Sequence, residues 1–249
     1  MALRTARSVF DETRHTFGAV PHVSGEHVCG LCLGAVNGYP QCYDCFKLFL
    51  RSACPRDLRG RVVPMTIAFN PSAWYSALWT YKRAQFLENA PTLAALIFLW
   101  ITEHRNHLET LLGGAWDLIT VVPSKKADAL FDEQRLRLAI GLVKPIDDDL
   151  QETLRFAPGH EFGRNLYTPE IFQPVRRVHG SRILLIEDTW ITGATALSAA
   201  GALMDAGARS AVIVPTAREV QLEFWERDGP HPFCDAVRAA EYDLAFWPR

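Results

Sequence analysis

Glu187 and Asp188 close a four-residue apolar run, Ile183 to Ile186, and a small hydroxyl-rich turn follows them within Arg182 to Ala196. Carboxylates at the end of a buried strand accept hydrogen bonds from sugar hydroxyls. Free N–H groups and hydroxyls at a helix start bind phosphate, aided by the positive end of the helix dipole. Thr192, Gly193, Ala194, Thr195 and Ala196 have the right size and chemistry for that second role, so the stretch suits a sugar phosphate held at both ends. The competing reading is an ordinary strand–helix unit in which Thr192 caps the helix.

A second group of residues carries metal chemistry. Four of the six cysteines fall in a C-x2-C-x9-C-x2-C pattern: Cys29, Cys32, Cys42 and Cys45. Two such knuckles bring paired thiolates to one ion from two turns, giving a closed tetrahedral zinc site with no open position, hence a structural role. Gly30, Gly34 and Gly38 are expected to supply the tight turns. A disulfide pair and a redox C-x-x-C compete with zinc. The first lacks any mark of secretion, and the second lacks a strand–helix junction. Cys54 and Cys234 read as buried or idle thiols.

These groups need a frame. The pattern predicts a lead-in helix around Thr5 to Phe17, the cysteine module with a short helix from Asp44 to Leu50, and a linker through Arg56 to Arg61. Val62 to Phe69 reads as a strand, and Trp74 to Phe86 and Thr92 to Leu112 as helices, the latter capped by Gly113-Gly114. Asp117 to Val122 reads as a short buried strand, Asp128 to Val143 as a helix, and Ser210 to Val214 as a strand. Leu197, Gly201 and Met204 mark one stripe of the helix that follows the acidic pair. Gln151 to Gly180 is broken by prolines and glycines, so a functional loop is expected there. Alternating strands and helices imply an α/β fold with a mainly parallel sheet and ligands at the carboxyl ends of its strands. The expected division is a cysteine module over 1–55, the α/β domain over 56–220, and a C-terminal extension over 221–249. Trp225, Phe233 and Trp247 of that extension are expected to pack on the domain.

At 249 residues, with 22% charged residues and a formal net charge of -2, the composition is that of a globular chain without a broad basic surface. The N-terminus lacks the apolar core of a signal peptide, and the longest apolar run, Leu93 to Ile101, is too short to span a bilayer. The expected location is cytoplasmic, without a membrane partner. A nucleic-acid partner gains no support from the charge, and the oligomeric state is left open.

The stretch Arg182 to Ala196 resembles the PRPP-binding motif of the type I phosphoribosyltransferases. The resemblance implies that Glu187 and Asp188 hold the ribose 2′ and 3′ hydroxyls and that Thr192 to Ala196 wrap the 5′-phosphate. Thr189, Trp190 and Ile191 stand where the family has small or aliphatic residues. Pro123-Ser124-Lys125-Lys126 ends a strand where the family has its pyrophosphate loop, so Ser124, Lys125 and Lys126 are implied ligand contacts. Gln151 to Gly180 falls where the family carries its catalytic loop, with Arg155, His160 and Arg164 as candidates to reach phosphate.

Over residues 29–218 the chain is most similar to the ComF-type branch, linked to competence and DNA uptake, which places a four-cysteine zinc module before such a domain. The shared features include Trp79-Thr80-Tyr81-Lys82, Arg164-Asn165 with Phe172, and Pro215-Thr216-Ala217-Arg218. The R-G-F-N-Q element usual after the pyrophosphate loop is absent. The implied reaction is displacement of pyrophosphate from PRPP by a nitrogen nucleophile, with Mg2+ neutralising the leaving group. Two other readings stand beside it: a non-catalytic PRPP- or nucleotide-binding accessory protein, and a zinc module that docks nucleic acid or protein.

Overall fold

A computed structural model of the chain describes all residues except 1–2, 21–25, 52–53, 59, 83–85, 125–133, 144–145, 147, 158–164 and 248–249. Its centre is a parallel sheet of four strands, β1 (Ile67–Phe69), β2 (Leu118–Val121), β5 (Arg182–Trp190) and β6 (Ser210–Val220), in the order β1-β6-β5-β2. All three pairings are parallel. The strands are rich in Ile, Leu and Val on both faces, which suits a sheet covered on both sides.

Strand alternation sends each face into its own layer. Leu184, Ile186, Val212 and Val214 join one core with α1 (Leu3–Thr13), α3 (Ala73–Tyr81), α4 (Phe86–Glu103), α5 (Arg105–Leu112) and α6 (Arg135–Ile140). Every residue from Leu93 to Ile101 is buried there. Ile183, Leu185, Ala211 and Ile213 face the other way, onto α7 (Ala194–Asp205) and the four cysteines. Helix α7 is mostly alanine on its buried side, and the hydroxyl of Tyr167 fills the space above Gly201. The cysteine region, with α2 (Tyr43–Phe46), thus shares a continuous apolar layer with the sheet.

Several boundaries differ from the sequence expectation, each for a physical reason. Residues 62–66 do run along β6, through Val63 N–H to the Ile213 carbonyl and Met65 N–H to the Pro215 carbonyl, yet only Ile67–Phe69 forms a strand. The helix expected from Thr92 starts at Phe86 and carries Pro91 in its second turn, where the proline gives up one backbone bond and its ring crowds the preceding turn. His104 then separates it from α5, which ends on Gly113 in the left-handed conformation, as the Gly-Gly signal predicts. Strands β5 and β6 run past their apolar cores, so Glu187, Asp188 and Trp190 lie inside the ladder.

The proline-broken segment contains an antiparallel ribbon, β3 (Leu154–Phe156) with β4 (Phe172–Pro174). Pro174 closes an edge strand, where a missing donor is tolerated. Helices α8 (Leu222–Glu226) and α9 (Pro232–Ala239) complete the chain, with Phe233 buried and Trp225 packed beside it. Trp247 stacks on His107 with ring centroids 4.6 Å apart. Among the described residues no helix is long and apolar enough to cross a membrane.

Candidate functional site

At the carboxyl edge of the sheet lies a cleft of about 630 Å³, lined by the ends of β5 and β2, the turn into α7, the end of α3 and the start of α6. That volume is in the usual range for a small-molecule site. Glu187, Asp188, Thr192, Gly193, Thr195, Ala196 and Ser124 all line it. Ala194, the first residue of α7, is buried behind them. Lys125, Lys126, His160 and Arg164 lie outside the described residues. Arg155 does not line the cleft: it is exposed on β3 and pairs with Glu152.

The acidic end of the cleft is held by neighbours from three elements. Asp188 accepts from Lys82 Nζ at 3.0 Å, and its backbone carbonyl accepts from the Thr216 hydroxyl. Lys82 follows the last turn of α3, so the helix C-terminus points a cation at the carboxylates. Beside it, Tyr81 is buried, and burial pushes its phenol well above the ordinary range, with the Asp188 charge adding to the shift and Arg135 opposing it. Arg135, from the start of α6, donates to the Tyr81 carbonyl at 2.8 Å. Two cations and two carboxylates therefore meet at one end of the cleft.

The other end is a turn built for an anion. Gly193 sits at the N-cap of α7 with φ 87°. A side chain there would stand 2.0 Å from Cζ2 of the Trp190 ring, so the position needs glycine both for its backbone angle and for the close approach. The Ala194 N–H points to the Thr192 hydroxyl at 3.4 Å, while the next N–H groups, of Thr195 and Ala196, belong to the first helical turn and have no intrahelical acceptor. Trp190, 1% exposed, packs beneath the turn and forms part of the cleft wall. The indole N–H of Trp190 and the Thr189 hydroxyl are buried without a partner among the described residues.

The remaining wall comes from the loop after β2 and the segment before β5. Ser124 N–H reaches the Gln134 side-chain oxygen at 3.4 Å, which ties that loop to the start of α6. Asn165, in the left-handed region at φ 62°, lines the cleft. The segment is anchored on α7 where Thr168 N–H donates to Ser198 Oγ at 2.8 Å. Lys82, Arg135 and Asn165 were not among the site residues expected from sequence. Lys82 belongs to the Trp79-Thr80-Tyr81-Lys82 element and Asn165 to Arg164-Asn165, whereas nothing local singles out Arg135.

The four cysteines form a second centre. Their sulfurs lie within 4.8 Å of one another and all four residues are buried. Cys32 and Cys42 sulfurs are 3.7 Å apart. A tetrahedral ion with bonds of about 2.3 Å to sulfur needs edges of about 3.8 Å, so the arrangement fits zinc. None of the six cysteines is in a disulfide. Hydrogen bonds from Cys29, Cys42 and Cys45 hold the Cys32 thiol well below its ordinary range, and the nearby Arg218 cation lowers it further. Of the glycines expected to make the knuckle turns, Gly38 is left-handed at φ 73°, while the other left-handed residue is Leu33 at φ 59°. Gly34 serves instead to leave room for Arg218. Cys54 and Cys234 are buried apart from this centre.

No protein-family model matches the chain, and no curated protein matches it significantly.

Proposed function

We propose that the cleft binds a phosphorylated ribose, PRPP in company with Mg2+, and that the chain is a type I phosphoribosyltransferase-like protein of ComF type. The observation that carries this reading is that Glu187 and Asp188 line the same cleft as the Thr192–Ala196 turn, one at each side of the end of β5. The turn takes the 5′-phosphate through the Thr195 and Ala196 N–H groups and the Thr192 and Thr195 hydroxyls. Glu187 and Asp188 accept from the ribose hydroxyls, which fixes C1 toward the open part of the cleft. Lys82 and Arg135 balance anionic charge near the diphosphate.

The hard oxygens of Glu187 and Asp188 suit Mg2+ held largely through water and substrate, and when bound the ion neutralises charge on the leaving diphosphate. Transfer would join C1 to a nitrogen acceptor as the bond to the diphosphate oxygen breaks. The second reading, a PRPP- or nucleotide-binding accessory protein without turnover, is favoured by the Lys82–Asp188 ion pair, because Asp188 must give up that partner before serving a hydroxyl. Titration calorimetry with Mg-PRPP tests binding; loss of at least tenfold in affinity in Asp188→Asn is expected, and no binding by the parent chain refutes the reading. Pyrophosphate release across a panel of nitrogen bases then separates enzyme from binder.

A further inference from the structure

Arg218 stands between the cysteine centre and the cleft. It lies on β6 directly opposite Trp190 of β5, with 8% of its surface exposed. Its Nη1 donates to three carbonyls: Trp190 at 3.1 Å, Ile191 at 2.5 Å and Glu219 at 2.6 Å. Trp190 and Ile191 are the two residues from which the phosphate turn springs. On its other side the guanidinium presses on the first knuckle, with Nε and Nη2 each 2.9 Å from where a Cβ on Gly34 would stand. Four thiolates around one divalent ion leave a net negative charge, and a buried arginine beside them is the natural counter-charge.

We propose that Arg218 is a positioning residue that couples the four-cysteine metal centre to the phosphate turn. The metal-loaded thiolates fix the guanidinium, and the guanidinium fixes the carbonyls of Trp190 and Ile191, so the Thr192–Ala196 turn is held in its anion-ready form only while the centre is loaded. The coupling itself is independent of the ligand's identity; its effect on affinity rests on the sugar-phosphate reading above. Linkage makes that effect reciprocal: a ligand in the turn must tighten metal binding by the factor by which metal tightens ligand binding.

The test is hydrogen exchange of residues 191–196 in the zinc-loaded and chelator-stripped full chain, with residues 183–186 of β5 as an internal reference. Stripping is expected to speed exchange in the turn on the order of tenfold while 183–186 stay protected. In Arg218→Gln the turn should exchange at the stripped rate with or without zinc. Gly34→Ala, which keeps all four cysteines and Arg218 but drives a methyl into the guanidinium, should weaken the zinc response in the same direction and covers the case in which Arg218→Gln does not fold. Arg218→Lys keeps the charge without the planar fork and should restore part of the response.

The proposal is overturned if the wild-type turn ignores zinc, if Arg218→Gln or Gly34→Ala keeps the full zinc response, or if stripping exposes 183–186 as well, since metal then acts on the whole sheet. Ribose 5-phosphate supplies the ligand arm: its affinity should fall on stripping by the factor by which it raises zinc affinity. A zinc-dependent turn in a chain that binds no ribose 5-phosphate upholds the coupling and refutes the sugar-phosphate reading.

Discussion

Replacing Gly193 by alanine places a methyl group 2.0 Å from Cζ2, 2.4 Å from Cε2 and 2.6 Å from Cη2 of a tryptophan that is 1% exposed. The ring is buried at the wall of the cleft, so the overlap must be relieved by moving the ring or the turn. Overpacking of this kind costs about 1–3 kcal/mol. Holding alanine at φ 87° adds roughly 1–2 kcal/mol. The sum, about 2–5 kcal/mol, corresponds in a chain of this size to a loss of roughly 4–20 °C in Tm. Differential scanning calorimetry measures it, and calorimetric titration with Mg-PRPP should show weaker binding, because the displaced turn carries the phosphate contacts. Trp190→Phe in the same background removes part of the obstructing ring, so the double variant should be more stable than the two single losses predict, by about 1–3 kcal/mol. A Tm within about 2 °C of the parent, or additivity within about 0.5 kcal/mol, would refute the packing described for this turn.

Other outcomes follow from the same geometry. Cys42→Ser should bring bound zinc well below one ion per chain by metal analysis, and should lower stability because its thiolate shares a core with the sheet. Lys82→Met should change stability by less than about 1 kcal/mol, because the Lys82–Asp188 pair is partly exposed, while altering Mg-PRPP affinity measurably. The raised Tyr81 pKa makes a pH prediction. Its folded value lies above the unfolded one, so the contribution is fully present below the ordinary phenol value of 10.0 and is lost as pH rises past it. Urea midpoints should therefore fall less steeply above pH 10 in Tyr81→Phe than in the parent; equal slopes would mean that the phenol is not held neutral beside the carboxylates.

What the sequence made legible was local. The acidic pair, the hydroxyl-rich turn and the four cysteines are short patterns whose chemistry depends on spacing along one segment, and each set converges in space. The sheet was legible too, because its strands are nearly continuous apolar runs separated by helical periodicity. Residues that act across the fold were not. Arg135 reaches the cleft from α6 through a backbone carbonyl of α3, and Arg218 reaches the first knuckle at Gly34 from β6, contacts that no periodicity encodes.

Trp190 shows the limit from the other side. It stands where the resemblance expects a small or aliphatic residue, and its place in the β5 ladder packs the ring beneath Gly193 at the wall of the cleft. The segment Gln151 to Gly180 read as irregular from its prolines, and its β3–β4 ribbon was hidden because one of those prolines ends an edge strand, where it breaks no ladder bond.

The central claim, that β5 and its turn hold a phosphorylated ribose, is tested most directly by a crystal structure of the zinc-loaded chain with ribose 5-phosphate. The account predicts the phosphate against the N–H groups of Thr195 and Ala196, the ribose hydroxyls on Glu187 and Asp188, and Lys82 released from Asp188. Phosphate bound elsewhere, or an unchanged Lys82–Asp188 pair with a vacant turn at saturating ligand, would contradict it.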